Sequence, residues 1–211
     1  MTGRFLLLTL LFSCSLFVAA EETKELPKDT PFSDENTGIV FPPELGNFHK
    51  TEIRISSNPV VGTQIRYDGN LVGCCASLYI YALSENPAVI TPEEFLNHFE
   101  KARQTVLNLE TLSGRVKEIE SVRQKVFPDR NSPAYWETFH LSIDGQEIYL
   151  SELLMILCGD RIVKLRITVP DAQKEAKVDC TGFIREICKL FYRNQTVTFR
   201  EIKREKKQPN R

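Results

Sequence analysis

A chain of 211 residues with 27 Lys and Arg against 28 Asp and Glu has a net charge of −1, which argues against nucleic-acid binding through a global field. Hydrophobic residues at 42% and charged residues at 26% exclude a disordered chain and allow one domain with a sizeable core.

Residues 1–20 open with the positive charge of Arg4, run apolar over 5–18 and end in the small residues Ala19 and Ala20. That layout predicts a secretory signal peptide cut ahead of Glu21. A stretch of about 14 apolar residues is too short for the ~20 that span a bilayer. A lipid anchor at Cys14 is the minority alternative, weakened because "SLFVAA" after it stays apolar. The expected location is secreted or periplasmic. Residues 21–37 carry six acids, two bases, Pro27 and Pro31, the composition of a solvated acidic linker. A single domain is expected over 38–192, followed by a basic tail over 193–211 with seven bases against two acids.

Within the domain, "HKTEIRIS" and "VVGTQIRYD" alternate and predict strands, and Asp68-Gly69-Asn70 turns the chain into a third, "LVGCCASLYIYAL". Residues 91–114 predict a helix capped by Thr91, opened by Pro92 and stopped by Gly114. Phe95, Phe99, Ala102, Val106 and Leu109 form its buried stripe. Residues 115–127 carry no decisive pattern. Three strands follow, "AYWETFHLSI", "EIYLSELLMILC" and "RIVKLRITV", joined at Asp144-Gly145 and Gly159-Asp160 by two-residue hairpin signals. Cys180, Phe183, Ile184, Ile187, Cys188 and Phe191 recur at helical spacing and predict a last helix. Both parities of 148–158 are largely apolar, so both faces of that strand need a cover. The expected class is α+β: an antiparallel sheet of about six or seven strands, with a long helix after the third strand and a C-terminal helix, layered on the sheet.

The segments "FPPELGNFHK", "GTQIRY" and "ASLYIYAL" ahead of a long helix are similar to a group of small secreted bacterial proteins without an assigned activity. The element order resembles the PsbP-like sandwich over about residues 41–191. That resemblance implies a non-catalytic accessory or binding protein and transfers no site residues.

Four sets of residues are candidates for chemistry. On a strand, Cys74 joins Ala76, Leu78 and Ile80 while Cys75 points to the opposite face, which disfavours a bond between them. Core packing is the leading reading of the cysteines; a structural disulfide and a catalytic thiol are the alternatives. Glu94 and His98, one helical turn apart, are candidate metal ligands; no motif supplies a third. A two-residue loop at Asp144-Gly145 pairs Ile143 with Gln146 and sets Glu137 opposite Glu152, a candidate catalytic acid–base pair. Trp136, Tyr79, Tyr81 and Tyr149 then share the opposite sheet face, as packing or as a ligand surface. No glycine-rich phosphate loop, nucleophile elbow or HExxH is present, and no cofactor is expected. Asn194-Gln195-Thr196 fits a glycosylation acceptor in a eukaryotic host.

The leading functional expectation is an exported, non-enzymatic protein that binds a protein partner or small ligand in the cell envelope. The alternatives are an envelope enzyme using the carboxylate pair or the Glu/His site, and a surface-interaction protein using the basic tail.

Overall fold

The computed structural model describes residues 24–25, 29–109, 111, 115–129, 132–145, 147–192 and 200–201. The predicted signal peptide, Cys14, the glycosylation triplet and most of the basic tail lie outside the described residues.

The chain opens with four two-residue strands, β1 (Lys24–Glu25), β2 (Phe32–Ser33), β3 (Val40–Phe41) and β4 (Glu44–Leu45). Longer strands β5 (Phe48–Ile55), β6 (Thr63–Gly69) and β7 (Cys75–Tyr81) precede helix α1 (Pro92–Leu107). Then come β8 (Val116–Phe127), β9 (Ala134–Ile143), β10 (Glu147–Cys158), β11 (Arg161–Pro170), helix α2 (Lys174–Phe191) and the short β12 (Arg200–Glu201). Ten strands form one antiparallel sheet in the order β1-β5-β6-β7-β11-β10-β9-β8-β12, with β4 on β5; β2 and β3 pair separately. The class is therefore α+β, as the alternation demanded. The strand count and the helix position differ from expectation. The first helix follows the seventh strand, because pairings of two residues are too short to leave a period-2 signature.

The two helices cover opposite faces. Cys180, Phe183, Ile184 and Ile187 of α2 close over Ile65, Leu78, Leu165 and Ile156 on one side. Phe95, Phe99 and Val106 of α1 close over Phe139, Leu141, Leu153 and Met155 on the other. β10 contributes to both cores, which is why both of its parities are apolar. Helix α1 begins as its cap signals direct, with Thr91 and Glu94 bonding each other's backbone at 2.9 and 3.2 Å. It ends at Leu107 with Asn108 as its cap, earlier than Gly114.

Other expectations need correction. The segment 21–37 is not wholly a solvated linker: Phe32 is buried and stacks on Phe41, and Asp34 is buried beside Thr63. Residues 116–127 form a full strand, whose alternation is broken by register shifts at Val116/Glu118 and Ser121/Arg123. The β10–β11 hairpin has the expected two-residue loop, with Cys158 opposite Arg161 and Gly159 at φ 64°. The β9–β10 loop is one residue longer than expected: Ile143 pairs with Glu147, with Asp144 and Gly145 at φ 53° and 72°. That slip moves every side chain of β10 to the other face relative to β9.

Candidate functional site

The slip in the β9–β10 register separates the carboxylates expected to form a pair. Glu137 lies opposite Leu153 and Glu152 opposite Thr138, so the two acids occupy different faces of the sheet. Glu137 is fully buried on the α1 side and takes hydrogen bonds from Arg103 Nε at 2.8 and 2.9 Å and from Ser121 Oγ at 2.5 Å. Burial pushes its pKa up, and the Ser121 and Arg103 donors pull it back. Glu152 sits on the α2 side, where it accepts from Trp136 Nε1 at 2.6 Å and Thr138 Oγ1 at 2.8 Å. Burial raises its pKa as well. Neither carboxylate is placed to share a proton with the other. The same slip puts Trp136 in the α2 core, away from Tyr81 and Tyr149 on the α1 side.

The Glu94 and His98 pair also divides. Glu94 is exposed and spent on the cap, its carboxylate held below the usual range by the Thr91 backbone and hydroxyl. His98 Nε2 lies 2.8 Å from Tyr81 Oη. Burial, with Lys164 and Lys101 nearby, lowers its pKa to about 4, so the ring is neutral at physiological pH. No group of three metal-binding side chains occurs among the described residues.

The cysteines divide between faces as expected. Cys74 joins Ala76, Leu78 and Ile80 in the α2 core, and Cys75 begins the other parity of β7. All five described cysteines are free. Burial pushes Cys74 up to about 11 and Cys75 and Cys188 up to about 12, far from the range of a reactive thiolate.

The chemically unusual group is one the motifs did not single out. β11 alternates strictly, with Val163, Leu165, Ile167 and Val169 in the α2 core and Ile162, Lys164, Arg166 and Thr168 on the α1 side. Two cations thus stand side by side at the centre of the sheet, between β7 and β10. The register aligns Arg66, Ser77, Arg166, Leu153 and Glu137 across one row, and Gln64, Tyr79, Lys164 and Met155 across the next. The α1 core takes its sheet residues from β8 to β11 and from Tyr81, with none from β5 or β6. The outer half of this face, including exposed Arg54 and partly exposed Gln64, Arg66 and Asp68, is open. Lys164 and Arg166 lie on the border between the helix-covered and open halves.

Neither cation has an anionic partner among the described residues. Arg166 Nη2 donates to Ser151 Oγ at 2.7 Å and its guanidinium stands 5.9 Å from the Phe139 ring. Its Nη1 is sealed from solvent without an acceptor. Lys164 Nζ lies 4.6 Å from the centre of the Tyr79 ring and 5.6 Å from that of Tyr81. The acid whose charge acts on Arg166 is Glu152, which stands on the other face of the sheet and accepts from Trp136 and Thr138; Asp68, Glu52 and Glu137 pair with Arg66, Arg54 and Arg103. Burial and the Arg166 charge lower the Lys164 pKa to about 8, and burial lowers that of Arg166 to about 10. The tyrosine rings act the other way, since a cation–π contact of about 0.5–2 kcal/mol favours the ammonium by roughly one pK unit. That is smaller than the desolvation effect, so the amine remains weakly basic. Both side chains keep part of their surface in water, so the unpaired charge costs less than the several kcal/mol of a fully buried ion. A ligand anion would remove that cost, and Ser77, Tyr79 and Ser151 place hydroxyls on the same face.

The sequence held one signal for this site: after Arg161 at its head, the strand carries two cations at i and i+2 among apolar residues and one Thr. An opening elsewhere, lined by Asp29, Pro43, Glu44, His49 and Lys50, has a volume of about 200 Å³. Its lysine is structural, with Nζ donating to the Thr30 carbonyl at 2.6 Å.

Comparison with protein-family models gives no match, and no curated protein matches the chain. Among solved structures, the chain is similar to a mutant of the protein Mog1, with a TM-score of 0.39 and 12% identity over 83% of this chain and 90% of that one. It is also similar to the Saccharomyces cerevisiae Ran-binding protein Mog1p, with a TM-score of 0.36 and 12% identity over 82% and 90% of the two chains. Likeness at this level carries no information about activity or partner.

Proposed function

We propose that the protein is an exported, non-enzymatic binding protein of the cell envelope, whose ligand or partner presents an anionic group to Lys164 and Arg166 beside α1. The observation that carries the reading is the buried Nη1 of Arg166, a charged donor with no acceptor, beside a lysine with no acidic partner. A fully satisfied structural ion pair would carry no such meaning, whereas a half-buried cation with one donor unmet has hydrogen-bonding capacity left for a ligand. The sheet centre supplies only side-chain donors, because the strand amides there are used in the ladders. The site thus selects for an anion that two cations and a few hydroxyls can satisfy.

The test is thermal unfolding in acetate, phosphate, sulfate and citrate at constant ionic strength, on the wild type and on Arg166→Gln and Lys164→Met. An anion-specific rise in Tm, lost in both variants, supports the reading. Equal anion response in all three proteins refutes it.

A further inference from the structure

Resting on the anion-binding reading, we propose that Lys164 is a nucleophilic amine that captures a small 2-oxo acid as a reversible imine, with the carboxylate of that acid held by Arg166. The two side chains are two residues apart on one face of β11, so a carboxylate on Arg166 brings the adjacent carbonyl toward Lys164. A 2-oxo acid has that spacing, since its carbonyl carbon is bonded directly to the carboxylate carbon.

Three features of the surroundings fit amine chemistry. Lys164 makes no ion pair among the described residues, so no carboxylate holds it as an ammonium. Arg166 is a second cation beside it, which disfavours protonation as nearby charge does for other nucleophilic lysines. With its pKa lowered to about 8, the neutral fraction at pH 7 exceeds that of an ordinary lysine by roughly a few hundredfold. Tyr81 flanks the amine, its ring centre 5.6 Å from Nζ, and its hydroxyl contacts the neutral His98 ring at 2.8 Å, so this side of Lys164 carries no charge. Arg166 and His98 are the titratable or cationic groups that act on it or that it acts on, with Tyr79 and Tyr81 as the flanking rings.

The step balances without an outside reagent. The neutral amine nitrogen adds to the carbonyl carbon, and the carbonyl oxygen takes a proton to give a carbinolamine. Loss of that oxygen as water, with the two former amine hydrogens, leaves the C=N bond. No electrons are transferred, and hydrolysis reverses the step.

The experiment uses the full protein with pyruvate and sodium cyanoborohydride, which reduces an imine to a stable secondary amine. Intact mass and peptide mapping then locate the adduct, and propanal serves as a carbonyl probe without a carboxylate. The expected result is one pyruvate adduct, on Lys164, formed faster than on any surface lysine. It should vanish in Lys164→Met and in Lys164→Arg, the latter keeping the charge and controlling for folding. Arg166→Gln should lower the ratio of pyruvate to propanal labelling by about tenfold, the selectivity of one charged hydrogen bond, because the ratio cancels the change in neutral Lys164 that loss of the Arg166 charge brings to both probes. Labelling spread evenly over surface lysines overturns the proposal. So does a pyruvate-to-propanal ratio that Arg166→Gln leaves unchanged. An anion-dependent Tm rise without any Lys164 adduct would overturn the imine alone and leave the binding reading standing.

Discussion

Arg103 Nε donates to both carboxylate oxygens of Glu137, at 2.8 and 2.9 Å, in a pair with almost no contact with solvent. Glu137 is therefore the anchor of α1 to β9. Removing one member leaves a buried charge without its partner. Glu137→Gln and Arg103→Met should each lower unfolding stability by about 3–5 kcal/mol, read as a fall in the urea midpoint. The double variant should lose less than the sum of the two. Additive losses, or a cost under about 1 kcal/mol, would show that the pair contributes little.

Glu152 differs, because its donors are neutral. Its pKa is raised by burial above the ordinary 4.5, so the folded chain holds this proton more tightly than the unfolded chain. Stability attached to this group is thus fully present below 4.5 and is lost as pH rises through the folded pKa. Glu152→Gln removes the titration. Unfolding free energies of wild type and variant, measured from about pH 4 to about pH 8 in small steps, should converge at the acid end and favour the variant at the neutral end. Parallel curves would mean that Glu152 does not titrate on unfolding.

His98 gives the opposite slope. Its pKa falls from 6.5 to about 4 on folding, chiefly through burial. The unfolded state binds the proton more readily, so stability is present above 6.5 and declines as pH falls toward 4. His98→Gln should flatten that decline, and the His98 ring should titrate by NMR well below a free imidazole. A folded-state titration near 6.5 would contradict the buried, neutral ring hydrogen-bonded to Tyr81.

The cysteines should be nearly silent in the native state. Cys74, Cys75, Cys180 and Cys188 are buried, and Cys158 is partly exposed. Iodoacetamide should therefore modify Cys158 first and the other four only on unfolding. Rapid native labelling of Cys74 or Cys75 would show that the head of β7 opens.

Much of the scaffold was legible in the residues. Thr91, Pro92 and Glu94 state where α1 begins, and the stripe from Cys180 to Ile187 states which side of α2 is buried. Gly159 and Asp160 state a two-residue hairpin, and the two apolar parities of β10 demand a cover on each face. The site was less legible. One additional residue in the β9–β10 loop sends Glu137 and Glu152 to opposite faces, and a loop's length is not written in the strands it joins.

The sequence by itself determined the α+β class, the two amphipathic helices and the alternation that puts Lys164 and Arg166 on one side of their strand. Only the tertiary structure decided that β11 lies between β7 and β10, and that α1 stops short of covering the β5–β6 half. The same two cations on an edge strand would be hydrated and unremarked. Alternation is a local property of the backbone, whereas burial of a charge depends on which distant strands and helices pack around it.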